Sequence, residues 1–217
     1  MTNKRFACAV IGAVLLVVPS MAPAGPPSPT EWVQTTLAEM QNVLPEQGQG
    51  RELTPEQLKE VSRLVSDSWH FPKLAQTVLG RHWKDRTPAE RKEFITLFQL
   101  LFERSHVMKM ATEGKAEQRF VGEEVEKDRA IVQAVARVDD SEIPIEYILV
   151  RQNGTWKIYD LGVDGMRLSQ TYRSQFNKVI SRGSYRDLVQ RMKMKLEEIE
   201  LEQKASVSSY SQVSTSR

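Results

Sequence analysis

Cysteine is almost missing from this chain. The single cysteine, Cys8, lies in an N-terminal segment that we predict to be removed, so a mature chain starting at Gly25 contains none. A chain without cysteine forms no disulfide, carries no thiolate nucleophile and cannot bind zinc through sulfur. These absences exclude a disulfide-stapled scaffold and a cysteine-dependent enzyme.

A surplus of charge of either sign is also lacking. Lys4 and Arg5 are the only charged residues among the first 24, and the rest of the chain carries 28 basic and 28 acidic residues. Proteins that bind nucleic acid or anionic membranes without sequence specificity need an excess of Lys and Arg to displace counterions. The balance therefore argues against both kinds of partner.

The longest apolar run is short. Phe6 to Val18 follow the two basic residues, and Ala22-Pro23-Ala24 supplies the small residues that a signal peptidase recognises. A permanent membrane anchor is the alternative, but spanning a bilayer core takes about 20 apolar residues. We predict a signal peptide over residues 1–24, cleaved after Ala24, and a periplasmic location for the mature protein.

The remaining chain has the length of one domain. Residues 25–201 carry the periodic apolar patterns, whereas residues 202–217 are rich in serine and have none. We predict a single domain over 25–201 and a disordered tail over 202–217.

Three helix starts are visible in the first half. Each places a hydroxyl residue, a proline and, at the third helical position, a side-chain acceptor, which together satisfy free backbone N–H groups. They are Ser28-Pro29-Thr30-Glu31, Thr54-Pro55-Glu56-Gln57 and Thr87-Pro88-Ala89-Glu90. Apolar residues recur behind each at helical spacing, and a short helix from about Pro72 to Leu79 is predicted to stop at Gly80.

From Gln118 the apolar period changes to two, which is typical of strands. Asn153-Gly154 predicts a two-residue type I′ turn between the last two strands. The helical period returns after Gly165. The sequence thus predicts an α+β domain in which helices flank a four-stranded antiparallel meander. The strands are predicted over Gln118 to Val125, Arg129 to Val138, Ile143 to Val150 and about Trp156 to Asp160.

Few residues suggest catalysis. His70, His82 and His106 show no metal-binding spacing, and no phosphate-binding glycine loop or nucleophile motif is present, so we predict surface or packing roles for them. Asp160 is a candidate general base beside Tyr147 or Tyr159. The favoured alternative is that Asp160 caps the following turn or pairs with an arginine.

The apolar residues allow two interpretations. Periodicity alone favours a filled core between helices and sheet. One strand face, however, contains Ala130, Ala134 and Ala136, which contribute little volume, and flexible methionines lie nearby in the sequence. This pattern is compatible with a cavity between the layers.

Three segments stand out together. They are Val78-Leu79-Gly80-Arg81-His82-Trp83 with Thr87 to Arg91 and Phe94; Asn153-Gly154-Thr155-Trp156-Lys157-Ile158-Tyr159-Asp160; and Val163-Asp164-Gly165 with Tyr172-Arg173-Ser174-Gln175-Phe176. In this order, and over roughly residues 72–196, they resemble the toluene-tolerance or MlaC family of periplasmic phospholipid-binding proteins. Some family members are associated with hopanoid metabolism, so a hopanoid is an alternative ligand.

The resemblance implies helices packed on one face of a curved antiparallel sheet, as in nuclear-transport-factor-2-like folds, with an apolar cavity between the layers. It implies a monomeric carrier, without cofactor, metal or catalytic residue. Such a carrier moves phospholipid between an outer-membrane lipoprotein complex and an inner-membrane ABC transporter with an MCE-domain subunit. The implied lipid-binding residues are Leu79, Phe94, Phe98, Leu101, Val132, Ala134, Tyr147, Leu149, Ile158, Tyr159, Val163, Tyr172, Arg173 and Phe176.

Two other hypotheses remain open at this point. One is a small enzyme of the same fold that uses Asp160 and a tyrosine as acid and base. The other is a binding or adaptor module whose core is full and whose partners bind outside.

Overall fold

The computed structural model describes residues 26–44, 53–113, 117–138 and 141–214, and the side chains of these except 106–113 and 203–214. The predicted signal peptide and its cleavage site lie outside the described residues and stay predictions. The described chain forms six α-helices, one 3₁₀ turn and a five-stranded sheet.

The helices begin where the sequence predicts. They are α1 (Pro29–Val43), α2 (Pro55–Ser68), α3 (Phe71–Leu79), α4 (Pro88–Glu113), α5 (Leu168–Arg182) and α6 (Tyr185–Ser214), with a 3₁₀ turn at Gly80–Trp83 after α3. The three predicted capping boxes are confirmed, because Ser28, Thr54 and Thr87 each accept from the backbone N–H three residues on, and the side chain there accepts in return.

The sheet is antiparallel throughout, in the order β1-β2-β3-β4-β5. Its strands are β1 (Glu117–Glu126), β2 (Arg129–Val138), β3 (Ser141–Gln152), β4 (Thr155–Val163) and β5 (Met166–Arg167). Asn153 and Gly154 both have positive φ, at 50° and 81°, as a type I′ turn requires. The predicted meander is confirmed, with one difference. The sequence did not indicate β5, because two residues are too few to show a period.

A β-bulge separates the two halves of β4. Leu149 pairs with Ile158 and Ile148 pairs with Asp160, so Tyr159 is the extra residue. The junction between α2 and α3 completes this region, because the backbone N–H of His70 donates to the carbonyl of Ile158 at 2.7 Å. The helical part of the molecule is thereby joined directly to β4.

Buried apolar side chains fall into two clusters. We call the first the helical cluster: it is formed by residues of α2 to α6 and by the C-terminal end of α1, including Met40 and Leu44. We call the second the sheet cluster: the inner faces of β2, β3 and β4 pack there against the N-terminal half of α1, including Val33. As predicted, Ala130, Val132, Ala134 and Ala136 are buried on one face of β2.

The C-terminal segment differs from the prediction. Helix α6 continues to Ser214, so residues 202–214 are helical where a disordered tail was expected. Neither proline nor glycine interrupts the chain from Tyr185 to Ser214, and a run of good helix formers, Glu197 to Ala205, carries the helix past Leu201.

Candidate functional site

The residues implied as the lipid-binding wall divide between the two clusters. Five are buried in the sheet cluster, and six pack in or against the helical cluster. The sheet group is Val132, Ala134, Tyr147, Leu149 and Ile158; the helical group is Leu79, Phe94, Phe98, Leu101, Tyr172 and Phe176. The structure therefore brings most of them together in two sets rather than in one.

Aromatic rings fill the helical group. Phe94 and Phe98 are fully buried and stack with their ring centroids 5.8 Å apart. The ring of Phe176 meets both edge-on, at 5.9 and 6.0 Å, and Tyr172 meets Phe98 edge-on at 5.1 Å. Burial raises the pKa of Tyr172 to about 12.

Trp69 connects the two clusters. Its partly buried ring packs against both of them, and no other apolar side chain of the described residues does so. On the helical side the ring lies 4.6 Å from that of Phe102. On the sheet side its backbone forms a bridge with Ile158. A domain usually has one main core with smaller satellite clusters, and here the sheet cluster is the smaller of the two.

Three of the implied residues lie apart from both clusters. Val163 is 39% exposed, because it pairs with Met166 in the tight turn at the sheet edge. Tyr159 is the bulge residue, and its ring lies 5.4 Å from the ammonium of Lys73. Arg173 is exposed and donates from its guanidinium to the carbonyl of Thr77, near the C-terminal end of α3. Their contact with a ligand stays a prediction.

Asp160 caps a helix. It is 5% exposed, and its Oδ1 accepts from the backbone N–H of Ser169 and of Leu161, both at 3.0 Å. Its Oδ2 accepts from the Ser169 hydroxyl at 2.5 Å. Ser169 is the second residue of α5, and the residue that precedes this helix, Arg167, provides no side-chain cap. The predicted capping role is thus confirmed, but it is supplied from a strand to a helix eight residues away.

One of the two tyrosines considered as partners of Asp160, Tyr147, already holds a hydrogen bond. The Tyr147 hydroxyl donates to Oε1 of Gln118 at 2.7 Å, and burial raises its pKa to about 12. Asp160 and Tyr147 therefore hold structural hydrogen bonds, whereas Tyr159, the other candidate, lies at the bulge beside Lys73.

Two of the three histidines have structural partners. The Nδ1 of His70 accepts from the backbone N–H of Lys73 at 3.1 Å and so caps α3. Desolvation lowers the pKa of His70, which favours the neutral ring that this bond requires. His82 lies 3.0 Å from Oδ1 of Asn177. The side chain of His106 lies outside the described residues.

A pocket that the sequence did not indicate opens between α3 and α5. Its volume is about 430 Å³, and Leu79 forms part of its wall. Arg81 donates to Oδ1 of Asn177 at 2.8 Å, across 96 positions of the sequence. The other lining residues are Gly80, His82, Gln170, Arg173 and Ser174. The helical spacing of apolar residues in the sequence could not show that the end of α3 and helix α5 come into contact.

Three further pockets lie elsewhere. Two involve α5 and α6, and the third lies against β1 to β5. None of these four pockets is bordered by both the helical and the sheet cluster, so the cavity expected between the layers stays a prediction. Among the described residues, no helix is long and apolar enough to cross a membrane. In the same part of the chain, His, Asp and Glu side chains form no group able to hold a metal ion.

Comparison with known families decides the chain's relationship. The model of the MlaC protein family matches residues 33–194, from α1 to α6. The chain belongs to the MlaC family. The resemblance deduced from the three sequence segments is therefore confirmed.

Solved structures show the same fold. One is a phospholipid-binding protein from Ralstonia solanacearum, determined in complex with a phospholipid. It is 23% identical to this MlaC-family chain, with a TM-score of 0.62, and the match covers 79% of this chain and 96% of the other. This likeness confirms the α+β architecture with helices and an open antiparallel sheet. A comparison with curated proteins found no match.

Proposed function

We propose that this MlaC-family protein is a lipid carrier that holds the acyl chains of a phospholipid between its helical and sheet clusters. The observation that carries the proposal is the division of the buried apolar residues into these two clusters. The membership in the family supports it, as does the phospholipid bound by the structurally similar Ralstonia protein.

The division of the core indicates where a ligand could enter. Trp69 is the one apolar side chain of the described residues that packs on both clusters, so the apolar contacts that a ligand would replace between them centre on this ring. On the sheet side, Ala130 and Ala134 leave the face of β2 shallow. Acyl chains inserted there would contact apolar side chains on both sides.

The physical need for such a carrier is large. At about 0.8 kcal/mol per CH₂, two acyl chains of roughly fifteen methylenes each cost on the order of 20 kcal/mol to expose to water. Apolar walls in place of the bilayer remove most of this cost, and no catalytic group is required. The hydrogen bonds that occupy Asp160 and Tyr147 also favour a binding protein over an enzyme.

The proposed setting is the periplasm. The predicted signal peptide would export the chain, and the family resemblance supplies the partners: an outer-membrane lipoprotein complex and an inner-membrane ABC transporter with an MCE-domain subunit. The protein would shuttle lipid between the two membranes as a monomer.

Lipid extraction tests the proposal directly. The mature protein is purified from bacteria without detergent, extracted with organic solvent and analysed by mass spectrometry. We expect about one phospholipid per protein; a hopanoid would identify the alternative ligand. Protein that repeatedly carries no lipid, and takes none from liposomes, would refute the carrier function.

A substitution in the sheet cluster tests where the lipid lies. Ala134→Phe adds a ring to the shallow face of β2, and we expect it to reduce lipid loading severalfold while costing about 1 to 3 kcal/mol of stability through overpacking. Val135→Phe is the matched control, because the neighbouring residue points to the opposite face of the same strand. Equal loading of the two variants, both shown to be folded by circular dichroism, would place the lipid elsewhere.

A further inference from the structure

We propose that the pocket between α3 and α5 is a binding site for a phosphate group, with Arg81 as its principal ligand. If the phosphate belongs to a phospholipid headgroup, this inference rests on the proposed carrier function. A free phosphate ion has the same chemistry and is the other possible source.

The lining has the charge that a phosphate requires. It contains two cationic groups, the guanidinium groups of Arg81 and Arg173, together with His82, other polar side chains and no carboxylate. Neither arginine forms an ion pair with any described residue; their hydrogen-bond partners are neutral, such as the amide of Asn177 and the carbonyl of Thr77. Planar guanidinium groups suit phosphate because two N–H groups can donate in parallel to two oxygens.

Both arginines are held in place by hydrogen bonds, Arg81 to a side chain and Arg173 to the backbone. Arg81 is anchored by Asn177, one turn of α5 beyond Arg173. Arg173 uses Nε and Nη2 on the Thr77 carbonyl and packs beside Gly80. Its Nη1 group makes no hydrogen bond within the described part of the chain and remains able to donate to a ligand. The cations are therefore positioned before a ligand arrives, which lowers the entropy cost of binding.

The pocket also borders the apolar interior. Leu79 lines it and is at the same time a member of the helical cluster, only 2% exposed. On α5, Tyr172 and Phe176 pack against that cluster, while Arg173 and Asn177 line the pocket. Polar and apolar binding surfaces therefore lie on adjacent faces of one helix. A headgroup in the pocket would leave its acyl chains close to the helical cluster.

The volume fits this ligand class. About 430 Å³ lies within the usual range for small-molecule sites and exceeds what a phosphate ion needs, so room remains for a glycerol or headgroup substituent. Because Arg81 and Arg173 are exposed, added salt should weaken binding by screening.

The test compares Arg81→Gln with Arg137→Gln. Both substitutions remove one exposed arginine, but Arg137 lies at the end of β2, outside the residues that line the pocket. Arg173 is left intact because it also caps α3. Delipidated protein is offered vesicles containing phosphatidylglycerol, vesicles containing diacylglycerol, and, in a separate titration by calorimetry, inorganic phosphate.

We expect Arg81→Gln to lower phosphatidylglycerol loading about tenfold, the usual effect of losing a hydrogen bond to a charged group. Diacylglycerol loading should remain that of the wild type, as should all loading of Arg137→Gln. Loss of inorganic phosphate binding alone would support the site with free phosphate as its source. Unchanged binding of both phosphatidylglycerol and phosphate in Arg81→Gln would overturn it. Failure of the wild type to load either lipid would instead refute the carrier function, and the phosphate titration would still decide the site.

Discussion

Replacing Asp160 should reveal whether its carboxylate serves the fold or a reaction. In Asp160→Ala the backbone N–H and the hydroxyl of Ser169 lose a common acceptor at a buried helix start. An unsatisfied buried polar group costs about 1 to 3 kcal/mol, and loss of a helix cap costs a similar amount. We expect Asp160→Ala to lower the free energy of unfolding by about 4 kcal/mol.

This loss is large enough to measure simply. For a domain of this size, each kcal/mol lowers the melting temperature by roughly 2 to 4 °C, so Asp160→Ala should melt about 8 to 16 °C below the wild type. Asp160→Asn keeps one oxygen for both backbone N–H groups, and its amide can donate to the Ser169 hydroxyl. It should lose only about 1 to 2 kcal/mol.

Thermal denaturation followed by circular dichroism gives both values, and lipid loading at 25 °C gives the functional readout. Asp160→Asn should load lipid as the wild type does, because the carboxylate acts on α5 rather than on a ligand. Wild-type stability in Asp160→Ala would refute the capping role. If Asp160→Asn kept wild-type stability but lost lipid loading, the carboxylate of Asp160 would have a functional role.

Two further predictions concern the ends of α3. Gly80 has a φ of +54°, and an added Cβ would lie 3.3 Å from Nε of Arg173. Gly80→Ala should therefore lower the free energy of unfolding, measured by urea denaturation, by about 1 to 3 kcal/mol. A loss near zero would contradict the strain argument. At the other end of α3, desolvation lowers the pKa of His70 below its ordinary 6.5. As the pH falls, His70 therefore binds its proton more readily in the unfolded chain than in the folded protein. This contribution to stability is complete above pH 6.5 and is lost as the pH falls through the folded pKa. His70→Asn keeps an acceptor for the backbone N–H of Lys73, so between pH 7.5 and 5.5 its urea midpoint should fall less than that of the wild type. Equal falls would show that His70 does not cause the loss.

Local structure could be read from the sequence because its causes are local. A capping box such as Ser28 to Glu31 satisfies N–H groups within four residues, and Asn153-Gly154 tolerates the positive φ of a type I′ turn better than other pairs. The alternation of β2 follows from the opposite directions of successive side chains. These features were predicted correctly without knowledge of the tertiary fold.

The arrangement of the site could not be read in this way, because its contacts join distant segments. Periodicity showed that Phe94 and Phe98 face an apolar neighbour, but not that the neighbour is α5. The pairing of His70 with Ile158 and the contact of Arg81 with Asn177 depend on how the helices pack at β4. The family resemblance implied Val163 as part of the lipid-binding wall, but apolar spacing could not show that a turn of two residues places it at the sheet edge.

Helix α1 shows why the division of the core bears on lipid binding. Its predicted apolar stripe is real, but the stripe serves two clusters: Val33 and Leu37 pack on the sheet, and Met40 and Leu44 pack among the helices. At its N-terminus, Thr30 donates twice to Glu123 of β1, at 2.9 Å from its backbone N–H and at 2.6 Å from its hydroxyl. Any widening between the clusters must therefore be accommodated along α1, either by a tilt about this attachment or by release of its C-terminal half. Because Met40 is a flexible side chain that adapts to altered surroundings, the C-terminal half is the part of α1 that we expect to move if acyl chains enter between the clusters as proposed.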